Sequence, residues 1–337
     1  MDESTALMQR ALDAARRGPE CDPNPRVGCV VTDAGGTVVG VGHHRGAGTP
    51  HAEVDALTEA GDAARGGTAF VTLEPCDHAG RTGPCTRALL DAGVARVVFA
   101  VADPDPAAGG GAATLAAAGV TVESGILDTG AEEVNASWLH ARRTGRPWVV
   151  AKSASTLDGR VAAADGTSRW ITGAAARADV HALRARCGAV VVGTGTALTD
   201  DPRLTARGAD GEDAVRQPLR VVVGHRPLPA TARLLDDEAE TLVLATHDPA
   251  EVLATLHDRG IHRVLLEGGP TLSAAFLATG LVDEVVAYVA PALLGAGPSV
   301  TADLGVTTIA DAVRLQPTDV TVLGQDVRIT ARPLQRS

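Results

Sequence analysis

Hydrophobic positions along this 337-residue chain fall into short apolar runs separated by amphipathic or turn-forming stretches. Apolar residues between Ser4 and Arg17 recur at helical spacing and predict a helix. Strand-like runs follow at Val27 to Thr32 and Val38 to Gly42, a helix begins near His51, and Ala69 to Leu73 reads as a strand. Another helix follows Cys85, and strands near Val97 to Val101 and Val120 to Glu123 complete the set. Strands alternating with helices in this way predict an α/β sandwich around a partly parallel sheet.

The pattern is interrupted at Ala141-Arg142-Arg143-Thr144-Gly145-Arg146-Pro147, a basic stretch with turn formers that ends one helix and precedes a new strand. Division near Thr144 gives two expected domains, 1–144 and 145–337, each large enough for its own core. Beyond it lie apolar runs at Val149-Val150, Ala189 to Val192, Leu219 to Val223, Leu242 to Leu244, Val264 to Leu266 and Val285 to Val289. Each is short, β-branched and followed by turn residues or a helical segment, which predicts a mostly parallel sheet flanked by helices. The Ala-rich stretch from Ala112 to Ala118 reads as helix filling.

Composition narrows the choices. A net charge of −11 argues against a general polyanion binder, while a local basic pocket for one phosphate stays compatible with it. No apolar stretch is long enough to cross a bilayer, and Met1-Asp2-Glu3-Ser4 lacks the character of a secretion signal, so a cytoplasmic location is expected. An odd number of cysteines, five, suits reduced thiols and a metal better than a disulfide framework. Cys21, Cys29 and Cys187 read as packing residues. Of 30 basic residues only Lys152 is a lysine, which marks a position where a compact ammonium serves better than a guanidinium.

The chemistry concentrates in His51-Ala52-Glu53, Pro75-Cys76 and Pro84-Cys85. One imidazole and two thiolates are three protein ligands of the kind zinc prefers, leaving the fourth tetrahedral position for a water nucleophile. Glu53, two residues past the histidine, suits a proton shuttle rather than a ligand. Helix starts at these positions would favour ionised thiolates. Taken singly, an HxE pair is noise and two cysteines are small hydrophobes; in this order, each cysteine preceded by proline, they point to a zinc deaminase. Eight residues separate Cys76 from Cys85, in place of the two found in most base and nucleoside deaminases.

The run Thr72-Leu73-Glu74-Pro75-Cys76-Asp77-His78-Ala79-Gly80-Arg81-Thr82-Gly83-Pro84-Cys85 resembles the signature of the bifunctional riboflavin-biosynthesis deaminase–reductases. Asn24-Pro25-Arg26-Val27-Gly28 and Gly48 to Val54 fit the deaminase half. Ser155 to Arg160, Trp170-Ile171-Thr172, Asp200 to Thr205 and Glu267-Gly268-Gly269-Pro270 fit the reductase half. The resemblance implies a cytidine-deaminase-like α/β/α sandwich followed by a dihydrofolate-reductase-like α/β domain, with Zn²⁺ and NADPH as cofactors. It implies deamination of a phosphoribosylamino-pyrimidine, a small phosphorylated substrate, and then reduction of its ribose to a ribityl chain. A homo-oligomer, dimer or tetramer, is expected on the same ground.

By resemblance, His51, Cys76 and Cys85 bind zinc and Glu53 moves protons, while Asn24, His44, His78 and Arg81 hold the pyrimidine and phosphate. Lys152 and Asp200 belong to the reductase centre. Ser168, Arg184, Leu204, Arg207 and Glu267 hold its substrate, and arginines suit a phosphate because the guanidinium fork bonds it bidentately. Without the resemblance, Arg184 reads as a helix-surface charge. Ala154, Trp170, Thr196, Asp200 and Gly269, Pro270, Thr271, Leu272 and Ser273 contact the nucleotide, with Gly268 and Gly269 letting backbone N–H groups approach its diphosphate. Gly193-Thr194-Gly195-Thr196 after a strand lacks the third glycine of a dinucleotide fingerprint, Leu198 standing there.

Three positions depart from the family pattern: Gly224-His225 replaces an aspartate beside the NADPH site, Asp105 replaces an asparagine in Asp103-Pro104-Asp105-Pro106, and Ala79 replaces a larger residue. The alternative of a tRNA or nucleotide deaminase fused to an unrelated module is disfavoured, since the acidic charge, the cysteine spacing and the 2% aromatic content argue against nucleic acid. A zinc-stabilised scaffold without cofactor binding has only the missing aspartate in its support.

Overall fold

The computed structural model describes residues 2–78, 83–105, 108–208 and 211–334. It divides into two compact units, 1–144 and 145–337. In the first, strands β1 (Gly28–Thr32), β2 (Val38–His43), β3 (Thr68–Leu73), β4 (Arg96–Val101) and β5 (Thr121–Ser124) form one sheet in the order β2-β1-β3-β4-β5. β1 runs antiparallel to β2 and β3, and β3, β4 and β5 run parallel. The helices are α1 (Glu3–Ala15), α2 (Ala52–Ala60), α3 (Cys85–Asp91), α4 (Gly111–Ala117), α5 (Asp128–Val134) and α6 (Ala136–Thr144).

Alternation along each strand sends side chains to opposite faces. Cys29, Val31, Val71 and Val97 pack with Ala52 and Ala56 of α2, Leu89 of α3 and Leu115 of α4. Val30, Phe70, Val98 and Ala100 pack with Met8 and Leu12 of α1, Ala131 of α5 and Trp138 of α6. The result is an α/β/α sandwich. Glycines in β2 let α2 lie close: a Cβ on Gly40 would come within 2.1 Å of the Ala56 carbonyl oxygen, and one on Gly42 within 2.3 Å of that of Ala52.

In the second unit β6 (Trp148–Thr156), β7 (Ala189–Gly193), β8 (Leu219–Val223), β9 (Thr241–Leu244), β10 (Arg263–Leu266), β11 (Glu284–Ala290), β12 (Leu315–Leu323) and β13 (Asp326–Pro333) make a sheet of order β12-β13-β11-β6-β10-β7-β8-β9. From β11 to β9 neighbouring strands are parallel, and β13 and β12 add antiparallel at one edge. Helices α7 (Ala174–Ala185) and α8 (Thr194–Asp200) cover one face, α9 (Pro249–Asp258) and α10 (Pro270–Ala278) the other. The β12–β13 hairpin was not expected from the pattern, because β12 is almost wholly exposed and mixes polar with apolar residues. β6 also runs further than its apolar core, so Lys152 lies within the strand.

No described helix is long and apolar enough to cross a membrane. Gly42→Ala, which drives a methyl into the first turn of α2, is expected to destabilise the protein by about 1–3 kcal/mol. Urea unfolding measures this, and an unchanged midpoint contradicts the close-packing account.

Candidate functional site

In the first unit the strands deliver chemistry to one edge of the sheet. His51 is the N-cap of α2, Glu53 sits buried in that helix's first turn, Cys85 opens α3, and Cys76 lies in the segment after β3. Only His51 and Cys85 are therefore at helix starts, a difference from the reading that put every ligand there. His51 Nδ1 is 3.2 Å from Cys85 Sγ and 3.5 Å from Cys76 Sγ. All three candidate ligand atoms lie within 4.8 Å of one another.

This donor set fits zinc. The Cys85 thiol hydrogen-bonds Cys76 and, helped by His51, pulls the Cys76 thiol down to about 4. Cys85, left holding the shared proton, is pushed far up. A cation takes the place of such a proton and lets both sulfurs ionise. His51 is raised, chiefly by its bond to Cys76. Burial pushes the Glu53 carboxyl up to about 7.

A cavity of about 190 Å³ opens beside these residues, and Asn24, His44, Glu53 and His78 line it together with His51 and Cys76. His44 is buried, its Nδ1 3.0 Å from the Pro50 carbonyl and its Nε2 3.1 Å from Asn24 Nδ2. The carbonyl can only accept, so Nδ1 donates to it and Nε2 accepts from the Asn24 amide. Arg81 lies outside the described residues.

Five more charged or aromatic residues that the sequence reading gave no site role line this cavity: Glu74, Asp103, Asp105, Trp138 and Arg142. Glu74, next to Pro75-Cys76, accepts backbone N–H bonds from Asp103, Gly110 and Ala112 and so ties down the loop after β4. Asp103 lines the cavity with its carboxyl raised by burial. Arg142 of α6 stacks 5.5 Å over the Trp138 ring and reaches Asp105 at 3.5 Å. The Asp103 loop had drawn notice in the sequence as a departure from a pattern, Glu74 as part of the signature run and Arg142 only as part of the stretch between the two domains.

In the second unit Lys152, Arg184 and Glu267 meet. Arg184 Nε and Nη2 donate to the two Glu267 oxygens at 2.6 and 3.0 Å, Nη1 donates to the Thr205 carbonyl, and Lys152 Nζ lies 3.7 Å from Glu267. Burial opposes the Glu267 charge, but Arg184 and Lys152 outweigh it and hold the carboxyl at about 2. Burial lowers Lys152, with Glu267 working against it. Arg184 is thus not a helix-surface charge: Glu267 and Thr205 engage three of its N–H groups, and one on each of Nη1 and Nη2 is not used by these bonds.

The nucleotide candidates form a second group. Gly269 donates its N–H to Thr196 Oγ1 at 3.2 Å, joining α8 to the start of α10. Pro270 has no N–H and α10 has no side-chain cap, so the N–H groups of Thr271 and Leu272 remain for an anion such as a diphosphate, and Ser273 bonds back to Gly269. Gly268 is required for packing, because a Cβ there would lie 2.7 Å from the Leu272 side chain. Trp170 is exposed with Arg177 4.5 Å over its ring, and Arg169 beside it bonds the carbonyl of Asp200. Ala154 in β6 packs against the core, and Ser168 is exposed. Leu204 has its side chain buried in the core, leaving only its backbone for a ligand, and Arg207 Nε reaches Asp213 at 3.6 Å.

Comparison with known proteins matches residues 1–101 to the cytidine and deoxycytidylate deaminase zinc-binding region and residues 147–329 to the RibD C-terminal domain. The chain belongs to the RibD family. It is 52% identical over 312 residues to the riboflavin biosynthesis protein RibD of Mycobacterium tuberculosis, covering 91% of each chain. Against the Escherichia coli RibD it is 41% identical over 355 residues, with 95% and 96% coverage. The Acinetobacter baumannii RibD structure superposes with a TM-score of 0.91 at 42% identity and 99% coverage of both chains. A Thermotoga maritima structure described as a diaminohydroxyphosphoribosylaminopyrimidine deaminase / 5-amino-6-(5-phosphoribosylamino)uracil reductase gives 0.89 at 32% identity, covering 98% and 99%. As a RibD protein the chain is a bifunctional enzyme of riboflavin biosynthesis, a zinc-dependent deaminase and an NADPH-dependent reductase.

Two outcomes follow from this geometry. His51→Ala, Cys76→Ser and Cys85→Ser are each expected to cut bound zinc from about one ion per chain to near none, read by metal analysis; full occupancy in any of them contradicts the ligand set. Glu267, whose carboxyl is held below its ordinary 4.5, contributes stability in full above that pH and loses it as pH falls towards about 2. Glu267→Gln is expected to cost about 3 kcal/mol near neutrality and to flatten the acid limb of a stability–pH curve; an acid limb identical to the parent's contradicts it.

Proposed function

We propose that the first unit hydrolytically deaminates 2,5-diamino-6-(5-phosphoribosylamino)pyrimidin-4(3H)-one and that the second reduces the ribosyl group of the product to give 5-amino-6-(5-phosphoribitylamino)uracil. The observation that carries the reading is the meeting of His51, Cys76 and Cys85 beside buried Glu53 at a cavity of pyrimidine size. Zinc held by these three residues supplies the Lewis acidity that activates water. Glu53 takes a proton from the attacking water and returns it to the ring amine, which departs as ammonia as the ring carbon becomes a carbonyl. A carboxyl held near 7 can do both at neutral pH. Asn24 and His44, locked to each other, orient the pyrimidine, His78 completes that wall, and Arg81 is assigned to the phosphate.

In the second unit NADPH supplies the hydride. The Lys152 ammonium would donate a proton to the ribose oxygen as the hydride arrives, and Glu267, itself paired with Arg184, holds Lys152 in place. Asp200, Ser168 and the Leu204 backbone are assigned to the same substrate, and Arg207 to its phosphate. Ala154, Trp170, Thr196 and Gly269 to Ser273 hold the nucleotide. The protein works in the cytoplasm, in keeping with five free cysteines, as a dimer or tetramer, for which exposed Val320 and Val322 on edge strand β12 offer apolar surface.

Glu53→Gln is expected to retain zinc while ammonia release falls by a factor of about 10²–10⁴. Undiminished release from a folded, zinc-loaded variant contradicts the role given to Glu53.

A further inference from the structure

Two arginines close α6, where the carboxyl end of a helix favours cations. Arg143 pairs at the surface with Glu132 at 2.7 Å. Arg142 lines the deaminase cavity instead, and among the described residues of that lining it is the only arginine or lysine. Four carboxyl groups share the lining with it: Glu53, Glu74, Asp103 and Asp105. Burial raises the Asp103 carboxyl, and the charges of Asp105 and Glu74 push the same way against the Asp105 N–H that bonds it. Asp105 stands where the family pattern has asparagine, so this chain carries one more negative charge at the wall. Its Oδ2 lies 3.5 Å from Arg142 Nη1, well beyond the roughly 2.8 Å of a charge-assisted hydrogen bond. The guanidinium is therefore drawn to the carboxylate without being saturated by it. The buried Trp138 ring, four residues earlier in α6 and itself part of the lining, seats it at 5.5 Å.

We propose that Asp105 and Arg142 form one specificity element of the deaminase cavity, in which Arg142 offsets the charge of Asp105 and binds the phosphate of the substrate, in addition to Arg81. The inference rests on the reading of the first unit as the deaminase of a phosphorylated pyrimidine riboside. A phosphate approaching a wall of carboxylates is repelled unless a cation stands among them, and Arg142 is the guanidinium placed there. Its planar fork of N–H groups matches phosphate oxygens, and the loose pairing with Asp105 leaves donors for them. A neutral amide at position 105 would need no such partner, whereas the aspartate does. The consequence is discrimination: a riboside without phosphate gains nothing from Arg142, so the pair selects the phosphorylated substrate.

Ammonia release by the zinc-loaded protein tests the proposal, with 2,5-diamino-6-(5-phosphoribosylamino)pyrimidin-4(3H)-one as one probe and the same riboside stripped of its phosphate as the other, read as substrate or as competitive inhibitor. Arg142→Gln, which keeps a stem over Trp138, is expected to raise KM for the phosphorylated substrate about tenfold or more while kcat changes little. Affinity for the phosphate-free riboside should fall far less, and Arg142→Lys should recover part of the loss. In an Asp105→Asn background the KM rise from Arg142→Gln should shrink, because no carboxylate is left bare beside the phosphate. Bound zinc at the parent's level in each variant shows that the metal site is intact. Equal loss with both probes, no loss with the phosphorylated one, or the same KM rise in both backgrounds overturns the proposal. No ammonia from the parent on the phosphorylated substrate overturns instead the deaminase reading of the first unit, and this inference with it.

Discussion

Parallel strands point their carboxyl ends the same way, and both units build their sites on that constraint. In the first, β2, β3 and β4 end at one edge, where His44 and His51, Cys76, and Asp103 follow them; β1 runs oppositely, so its preceding residue Asn24 arrives at the same edge. In the second, Thr196, His225, His247 and Gly269 follow β7, β8, β9 and β10. Ligands gather outside the carboxyl ends of open α/β sheets because loops and helix starts converge there with unpaired N–H groups.

Close helix packing makes the edge accurate in the first unit. The glycines of β2 bring the backbone of α2 almost against the sheet, which fixes His51 at the helix start and carries Glu53, two residues on, into the interior. Glu74 fixes the other side by gathering three N–H bonds from the loop after β4. The thiols face each other with one proton too many for two anions and a histidine, a state that a divalent cation relieves. In the second unit the same accuracy comes from charge: Arg184 and Lys152 accompany buried Glu267, and removing that one carboxylate would leave two cations without their partner in the interior.

Much of this was legible in the chain. The parallel strands announce themselves as β-branched runs because both faces are buried, and the zinc set is readable because few combinations of residue types in that order do anything else. The β12–β13 hairpin was not, since its exposed residues such as Thr318, Asp319 and Thr321 carry no burial signal. The Arg184–Glu267 pair joins residues 83 positions apart, and no local pattern shows that this arginine will meet that glutamate. Leu204, singled out as a substrate contact, turns its side chain into the core at φ +56°, a choice made by tertiary packing.

The central claim is that two chemistries act in sequence on one substrate, and NADPH oxidation tests it most directly. With the diaminopyrimidine as substrate, the parent protein is predicted to oxidise NADPH and Glu53→Gln to do so negligibly, with oxidation restored in the variant when the deaminated pyrimidine is supplied. Oxidation by Glu53→Gln at the parent's rate on the diamino substrate, or none by the parent on the deaminated one, would contradict the account.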